Sequence, residues 1–172
     1  MSNLSRIGNW KLKIENSRVK REWGFTFIEI SVVISILSIL TTLGIAAFVN
    51  YSRNQSLQTA ALDLVTTLNL AKSRSFSQAK PPECASETLE GYRVSILASS
   101  DGYELHAICT GNLYQVKKVT FPQNITVSSN GTTSRSFFFP VISGGVTGSG
   151  SVILVGYGNS RTISVDSVGT VK

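Results

Sequence analysis

Hydrophobic and polar positions divide this 172-residue chain into four regions of different period. Residues 1–24 are polar, mixed in charge and without apolar periodicity, and they read as disordered or loosely helical. Residues 25–49 are apolar on every side, contain no proline and carry one charge, Glu29. As a helix this 25-residue run reaches about 37 Å, enough to cross a hydrocarbon core of about 30 Å with some tilt. Residues 50–80 continue without proline or glycine, but their apolar positions narrow to Leu57, Ala61, Leu64, Leu68 and Ala71. Spacings of 4, 3, 4 and 3 put these on one helical face. The other face carries Arg53, Gln55, Gln58, Asp63, Asn69, Lys72 and Arg74. The pattern predicts one long helix, apolar all round in its first half and amphipathic in its second. Pro81-Pro82 is expected to end it, because a residue before proline is pushed out of the helical region.

After Pro82 the period drops to two. Residues 93–98 and 103–109 alternate and flank the turn signal Ser99-Ser100-Asp101-Gly102, which predicts a hairpin. Residues 114–121 make a third strand, stopped by Pro122, and 125–127 a short one. Further strands are expected at 136–141, 151–156 and 161–166, separated by the glycine-rich 144–150 and by Gly156-Tyr157-Gly158-Asn159. The fold class is α+β: a long N-terminal helix packed on a small antiparallel β-sheet or a two-sheet β domain. The sheet's apolar face is the natural cover for the helical stripe. The expected organisation is a leader at 1–24, a membrane half of the helix at 25–49, an amphipathic half at 50–82 and a β-rich head at 83–172.

Charge adds a direction. The net charge is +6, and the leader supplies most of it, with six basic residues against Glu15 and Glu22. Positive residues before a span hold that side in the cytoplasm. Beyond the span the nearest charge is Arg53. The chain is thus expected to be a single-pass cytoplasmic (inner) membrane protein with its N-terminus inside and its head outside. Trp23 falls where the cytoplasmic interface should lie, a position that suits an indole ring. Cys84 and Cys109 both fall in the outside domain, where a disulfide persists, and the bridge is the favoured reading over two free thiols. It would close a loop of 25 residues, worth roughly 3 kcal/mol in the chain-entropy model.

Chemistry is sparse. The run Gly144-Gly145-Val146-Thr147-Gly148-Ser149-Gly150 has no lysine in place and no helix after it, so it reads as an inter-strand loop and not as a phosphate cradle. Asn124 and Asn130 head glycosylation-type triplets of little weight. The lone histidine, His106, lies mid-strand, and Asp63, Asp101 and Asp166 fall in different elements. No catalytic constellation, metal site or cofactor is expected, which disfavours a membrane-anchored enzyme.

Glu29 is the anomaly. A carboxylate within a span costs on the order of 3 kcal/mol near its centre and less near the interface, and nothing basic in the run can pair with it. The motif Gly24-Phe25-Thr26-Phe27-Ile28-Glu29-Ile30, behind a basic leader and ahead of an apolar helix, resembles the class III signal of type IV prepilins. That family includes the pilins and the pseudopilins of type II secretion. The resemblance implies cleavage between Gly24 and Phe25 by a prepilin peptidase, N-methylation of Phe25, and an assembly role for Glu29. Cleavage creates an amine at Phe25, and in a filament the Phe25 amine of a neighbouring subunit becomes the partner that Glu29 lacks. An ordinary secretory signal explains neither the length of the run nor its glutamate. A plain signal anchor explains the span but not Gly24 or Glu29. Where many family members have glycine and proline, this chain has Ser38 and Ala46, with Gly44 nearby.

In the head, the two cysteines around the first hairpin, Lys118-Val119-Thr120-Phe121-Pro122, the segment 138–144 and Arg161-Thr162-Ile163-Ser164-Val165 leading to Gly169-Thr170-Val171 resemble the H/T-type minor pilins. The resemblance implies a non-catalytic structural or priming subunit of a pilus or pseudopilus. Its partners would be other pilin or pseudopilin subunits, the prepilin peptidase, the inner-membrane assembly platform and the lipid bilayer. Some T-type members bind DNA through C-terminal arginines. Here only Arg161 and Lys172 stand near that end, and phosphate binding needs several clustered cations, so a DNA-binding role is the weaker alternative.

Overall fold

The computed structural model describes residues 24–172, and the leader expected at 1–24 lies outside them apart from Gly24. The chain falls into two compact units, divided between Thr42 and Leu43. Helix α1 (Phe27–Phe76) contributes to both.

In the first unit Thr26 caps the helix. Its hydroxyl accepts the Glu29 backbone N–H at 3.3 Å, and its carbonyl accepts the Ile30 N–H. The apolar side chains that follow are exposed all round, and the most apolar stretch of the helix has none of its surface buried in the molecule. By length and composition this helix can cross a membrane. Its polar residues satisfy themselves. The Ser31, Ser35, Ser38 and Thr41 hydroxyls donate to carbonyls four residues back, and Thr42 to the carbonyl of Ile39. A helix surrounded by lipid can therefore carry these hydroxyls without orphaned donors.

In the second unit the stripe is buried as its spacing predicts. Leu57, Leu64, Leu68 and Ala71 are fully covered, and Ala60, Ala61, Thr67 and Ser75 join them. The helix stops at Phe76, four residues before the expected end. The cause is local. Gln78 takes a left-handed conformation at φ 53°, its N–H bonds to the Ser75 carbonyl, and the Ala79 N–H bonds to the Arg74 carbonyl. This is a Schellman closure with glutamine where glycine is usual. Pro81 and Pro82 come after the helix has already ended and open a short 3₁₀ turn, η1 (Pro82–Cys84).

Seven strands follow: β1 (Leu89–Ile96), β2 (Gly102–Cys109), β3 (Asn112–Thr120), β4 (Ile125–Val127), β5 (Ser136–Pro140), β6 (Gly150–Gly156) and β7 (Asn159–Val165). They form two antiparallel sheets, of order β3-β2-β1-β5 and β4-β6-β7. Alternate residues of both sheets enter one core with the helix, including Tyr92, Val94, Tyr103, Leu105, Phe137, Phe139, Val152, Leu154, Ile163 and Val165. The β6–β7 turn, Tyr157-Gly158, has positive φ at both residues, as a two-residue hairpin requires. Strand β1 starts at Leu89, earlier than its alternation suggests, because it runs through Gly91. There β5 comes so close that a Cβ would overlap the Phe139 carbonyl oxygen.

Candidate functional site

At the start of the described chain, Gly24 is exposed and outside the helix, Phe25 is 77 % exposed, and Glu29 occupies the third helical position behind the Thr26 cap. Thr26-Phe27-Ile28-Glu29 has the spacing of a capping box, in which an acid three residues past a threonine favours the helix N-terminus. The motif therefore does two things locally. It leaves an accessible, unstructured glycine–phenylalanine bond, and it fixes where the helix begins. Glu29 is exposed, and among the described residues no cation lies within 4.0 Å of it. The structure thus places Gly24, Phe25 and Glu29 together at one helix end.

The two cysteines are joined. Cys84 in η1 and Cys109 at the end of β2 are both fully buried and disulfide-bonded, with Cα atoms 6.0 Å apart. The bridge ties the segment leaving the helix to β2, an inner strand of the larger sheet. Beside it the Thr110 N–H donates to the Thr88 carbonyl, and the Thr88 N–H to the Thr110 hydroxyl.

Three polar links between the helix and the rest of the head were not visible in the sequence pattern, two to strands and one to the segment after β7. The first joins Asp63 and Thr67 on α1 to Tyr103 on β2 and Lys117 on β3. The Tyr103 hydroxyl donates to Asp63, Lys117 Nζ donates to Asp63 Oδ1 at 3.3 Å and to Thr67 Oγ1 at 3.2 Å, and the Thr67 and Tyr103 hydroxyls lie 3.1 Å apart. Since the phenol has one proton, given to Asp63, Thr67 is the donor to the Tyr103 oxygen. Burial first, then the bond to Asp63, push the Tyr103 hydroxyl far above its ordinary value of about 10. In the second link, Ser75 Oγ donates to the Phe139 carbonyl at 2.7 Å. In the third, Lys72 Nζ donates to the Val168 and Gly169 carbonyls, each at 3.0 Å. Asp63 and Lys72, expected on a solvated face, are instead partnered at the flanks of the stripe. Arg53 likewise lies over the Tyr157 ring, 5.6 Å from its centroid.

His106 on β2 faces Glu104, 3.6 Å away, which also pairs with Lys118 at 3.0 Å. Arg161 and Lys172 line one cleft with α1. Comparison of the chain with protein-family models, curated proteins and solved structures returns no match. Among the described residues no group of three or more His, Cys, Asp or Glu side chains is gathered as a metal site would need.

Proposed function

We propose that the chain is a minor pilin or pseudopilin, a non-catalytic structural or priming subunit of a type IV pilus or a type II secretion pseudopilus, of the H/T type. The observation that carries the reading is the junction at the helix start. An exposed Gly24-Phe25 bond stands one residue before a capped helix whose first turn holds the only charge of an otherwise apolar run. A peptidase needs the first, and an assembling helix needs the second. Maturation by prepilin peptidase removes residues 1–24 and leaves a cationic, methylated amine at Phe25. The mature helix stays in the inner membrane, and its head waits outside for the assembly platform to pass it into the filament. There Glu29 meets the Phe25 amine of a neighbour. A charge pair in so dry a setting stabilises only if well made, and leaving either member alone is costly, so it selects one register.

Co-expression with a prepilin peptidase tests this reading. Intact-mass analysis should show loss of residues 1–24 and one added methyl group, and Gly24→Val should hold the chain at precursor mass. A wild-type chain that keeps its leader in the presence of active peptidase overturns the reading.

A further inference from the structure

Helix α1 leaves its apolar run at the base of the head. At about 1.5 Å per residue it needs about 20 residues to cross a core of about 30 Å. Counted from Phe27, the first helical residue, or from Glu29, the one charge of the run, the crossing ends at Ala47 or Val49. The polar layer beyond adds about 5–8 Å, which a helix climbs in about five residues, so residues 48–54 fall at headgroup depth. Phe48 and Tyr51 lie there, 69 % and 68 % exposed, and aromatic rings favour that depth. Arg53 lies there too, exposed, and among the described residues no carboxylate is within 4.0 Å of it.

Two loops of the head meet the helix at this level. Pro122, which follows β3, closes a cleft of about 330 Å³ with Phe48, Tyr51, Ser52, Gln55 and Thr59. Tyr157, in the β6–β7 turn, has Arg53 over its ring and donates its hydroxyl to the Gln123 carbonyl at 2.8 Å, which braces the loop that carries Pro122. Along the helix the cleft runs from an aromatic end at Phe48 and Tyr51, next to the apolar run, to a polar end at Gln55 and Thr59. A phospholipid has the same order of polarity, its acyl chains lying deeper than its ester and phosphate oxygens. Lipid reaches this depth wherever the helix spans a membrane, so no further partner has to be supplied.

We propose that the base of the head is a phospholipid-binding face, with one phospholipid of the adjoining leaflet seated in this cleft. An acyl chain lies along Phe48 and Pro122, and the glycerol ester oxygens accept hydrogen bonds from the Ser52 and Thr59 hydroxyls and the Gln55 amide. Arg53, on the adjoining face of the helix, meets the phosphate layer. The bound lipid holds the head against the membrane surface. This inference rests on the membrane placement of α1 and on nothing about a filament.

The test uses the full chain, one copy per nanodisc, in phosphatidylcholine that carries a photoactivatable diazirine on an acyl chain close to the glycerol. After irradiation, peptide mass spectrometry maps where lipid is attached. Label should appear on the apolar run and also on Gln55, Thr59 and residues 122–124. Ser52→Trp, which fills the cleft from an exposed position, should remove the label from 122–124, keep that on the apolar run and leave the far-ultraviolet thermal melt unchanged. Label on the apolar run with none on Gln55, Thr59 or 122–124 overturns the proposal and leaves the membrane placement standing. Label at 122–124 that survives Ser52→Trp also overturns it, because the lipid is then not in the cleft. A chain unlabelled throughout overturns the membrane placement and the proposal together. In discs holding two chains, a photoreactive residue at position 52 that captures the second chain and no lipid overturns it in favour of a second copy.

Discussion

The hydroxyl of Tyr103 donates a hydrogen bond to the carboxylate of Asp63, 40 residues away in sequence and across the boundary between sheet and helix. Tyr103 is fully buried, whereas the Asp63–Lys117 ion pair beside it is about two-fifths exposed on each side. Screening leaves such an ion pair worth little, so the buried hydroxyl dominates the link. Tyr103→Phe takes away the acceptor of the Thr67 hydroxyl proton and removes the bond to Asp63. It should cost about 1–3 kcal/mol of stability, whereas Lys117→Met should cost under about 1 kcal/mol. Urea unfolding of the micelle-bound chain, followed by near-ultraviolet circular dichroism, separates the two.

The same hydroxyl sets an alkaline limit. Its proton is held in the folded state above the ordinary value of about 10, and an unfolded chain releases it there. Below pH 10 both states keep the proton and stability does not depend on this group. Above pH 10 the unfolded state binds fewer protons, so stability falls as pH rises, at up to about 1.4 kcal/mol per pH unit for this group. Tyr92, raised by its burial, adds in the same direction. Melting temperatures between pH 8 and 11 should be flat and then drop, and Tyr103→Phe should shallow the drop. An equal slope in the variant would rule this origin out.

The disulfide closes a 25-residue loop between the helix exit and β2. Reduction, or Cys84→Ser with Cys109→Ser, should lower stability by about 3 kcal/mol. The Schellman turn and Pro81 lie before the loop, so helix content should hold while the sheet signal melts earlier. Thermal melts with and without dithiothreitol, read in the far ultraviolet, check both parts.

Glu29 has a local role in the capped turn and a proposed one between subunits. Thr26→Ala weakens the cap by about 1 kcal/mol and leaves the charge. Glu29→Leu removes the charge. If the pair with a neighbour's Phe25 amine is what matters, Glu29→Leu should insert in the membrane yet be absent from sheared filaments, while Thr26→Ala is incorporated. Immunoblots of membrane and filament fractions give the answer, and equal incorporation of both variants would show that the charge is dispensable.

The buried stripe was legible because burial on a helix follows its own period: Leu57, Leu64 and Leu68 could face only one way. Six of the seven strands were legible to within a few residues for the matching reason, and the turn at Tyr157-Gly158 announced itself by its glycine. The start of β1 was hidden by Gly91, a residue that looks like a break and is there because β5 leaves no room for a side chain. The helix end was hidden because glutamine at position 78 carries no signal for a left-handed backbone. Asp63 and Lys72 were assigned to water because their partners, Tyr103 and Gly169, lie 40 and 97 residues away, and local periodicity holds no information at that distance. The candidate assembly residues Gly24, Phe25 and Glu29 lie within six positions of one another and make no tertiary contact that the structure could add, so their reading still rests on local pattern alone.

Lys72 bears on the order of events during folding. Its ammonium holds the carbonyls of residues 168 and 169, and Ser164 and Asp166 then anchor the last few residues by backbone bonds. An early part of the head is therefore completed by one that follows it by almost a hundred residues. Until residue 169 is in place, the Lys72 ammonium has only water to bond to. The helical stripe is likewise incompletely covered until Ile163 and Val165 of β7 join the core. Any factor that guards the uncovered stripe therefore has to act before those residues are in place.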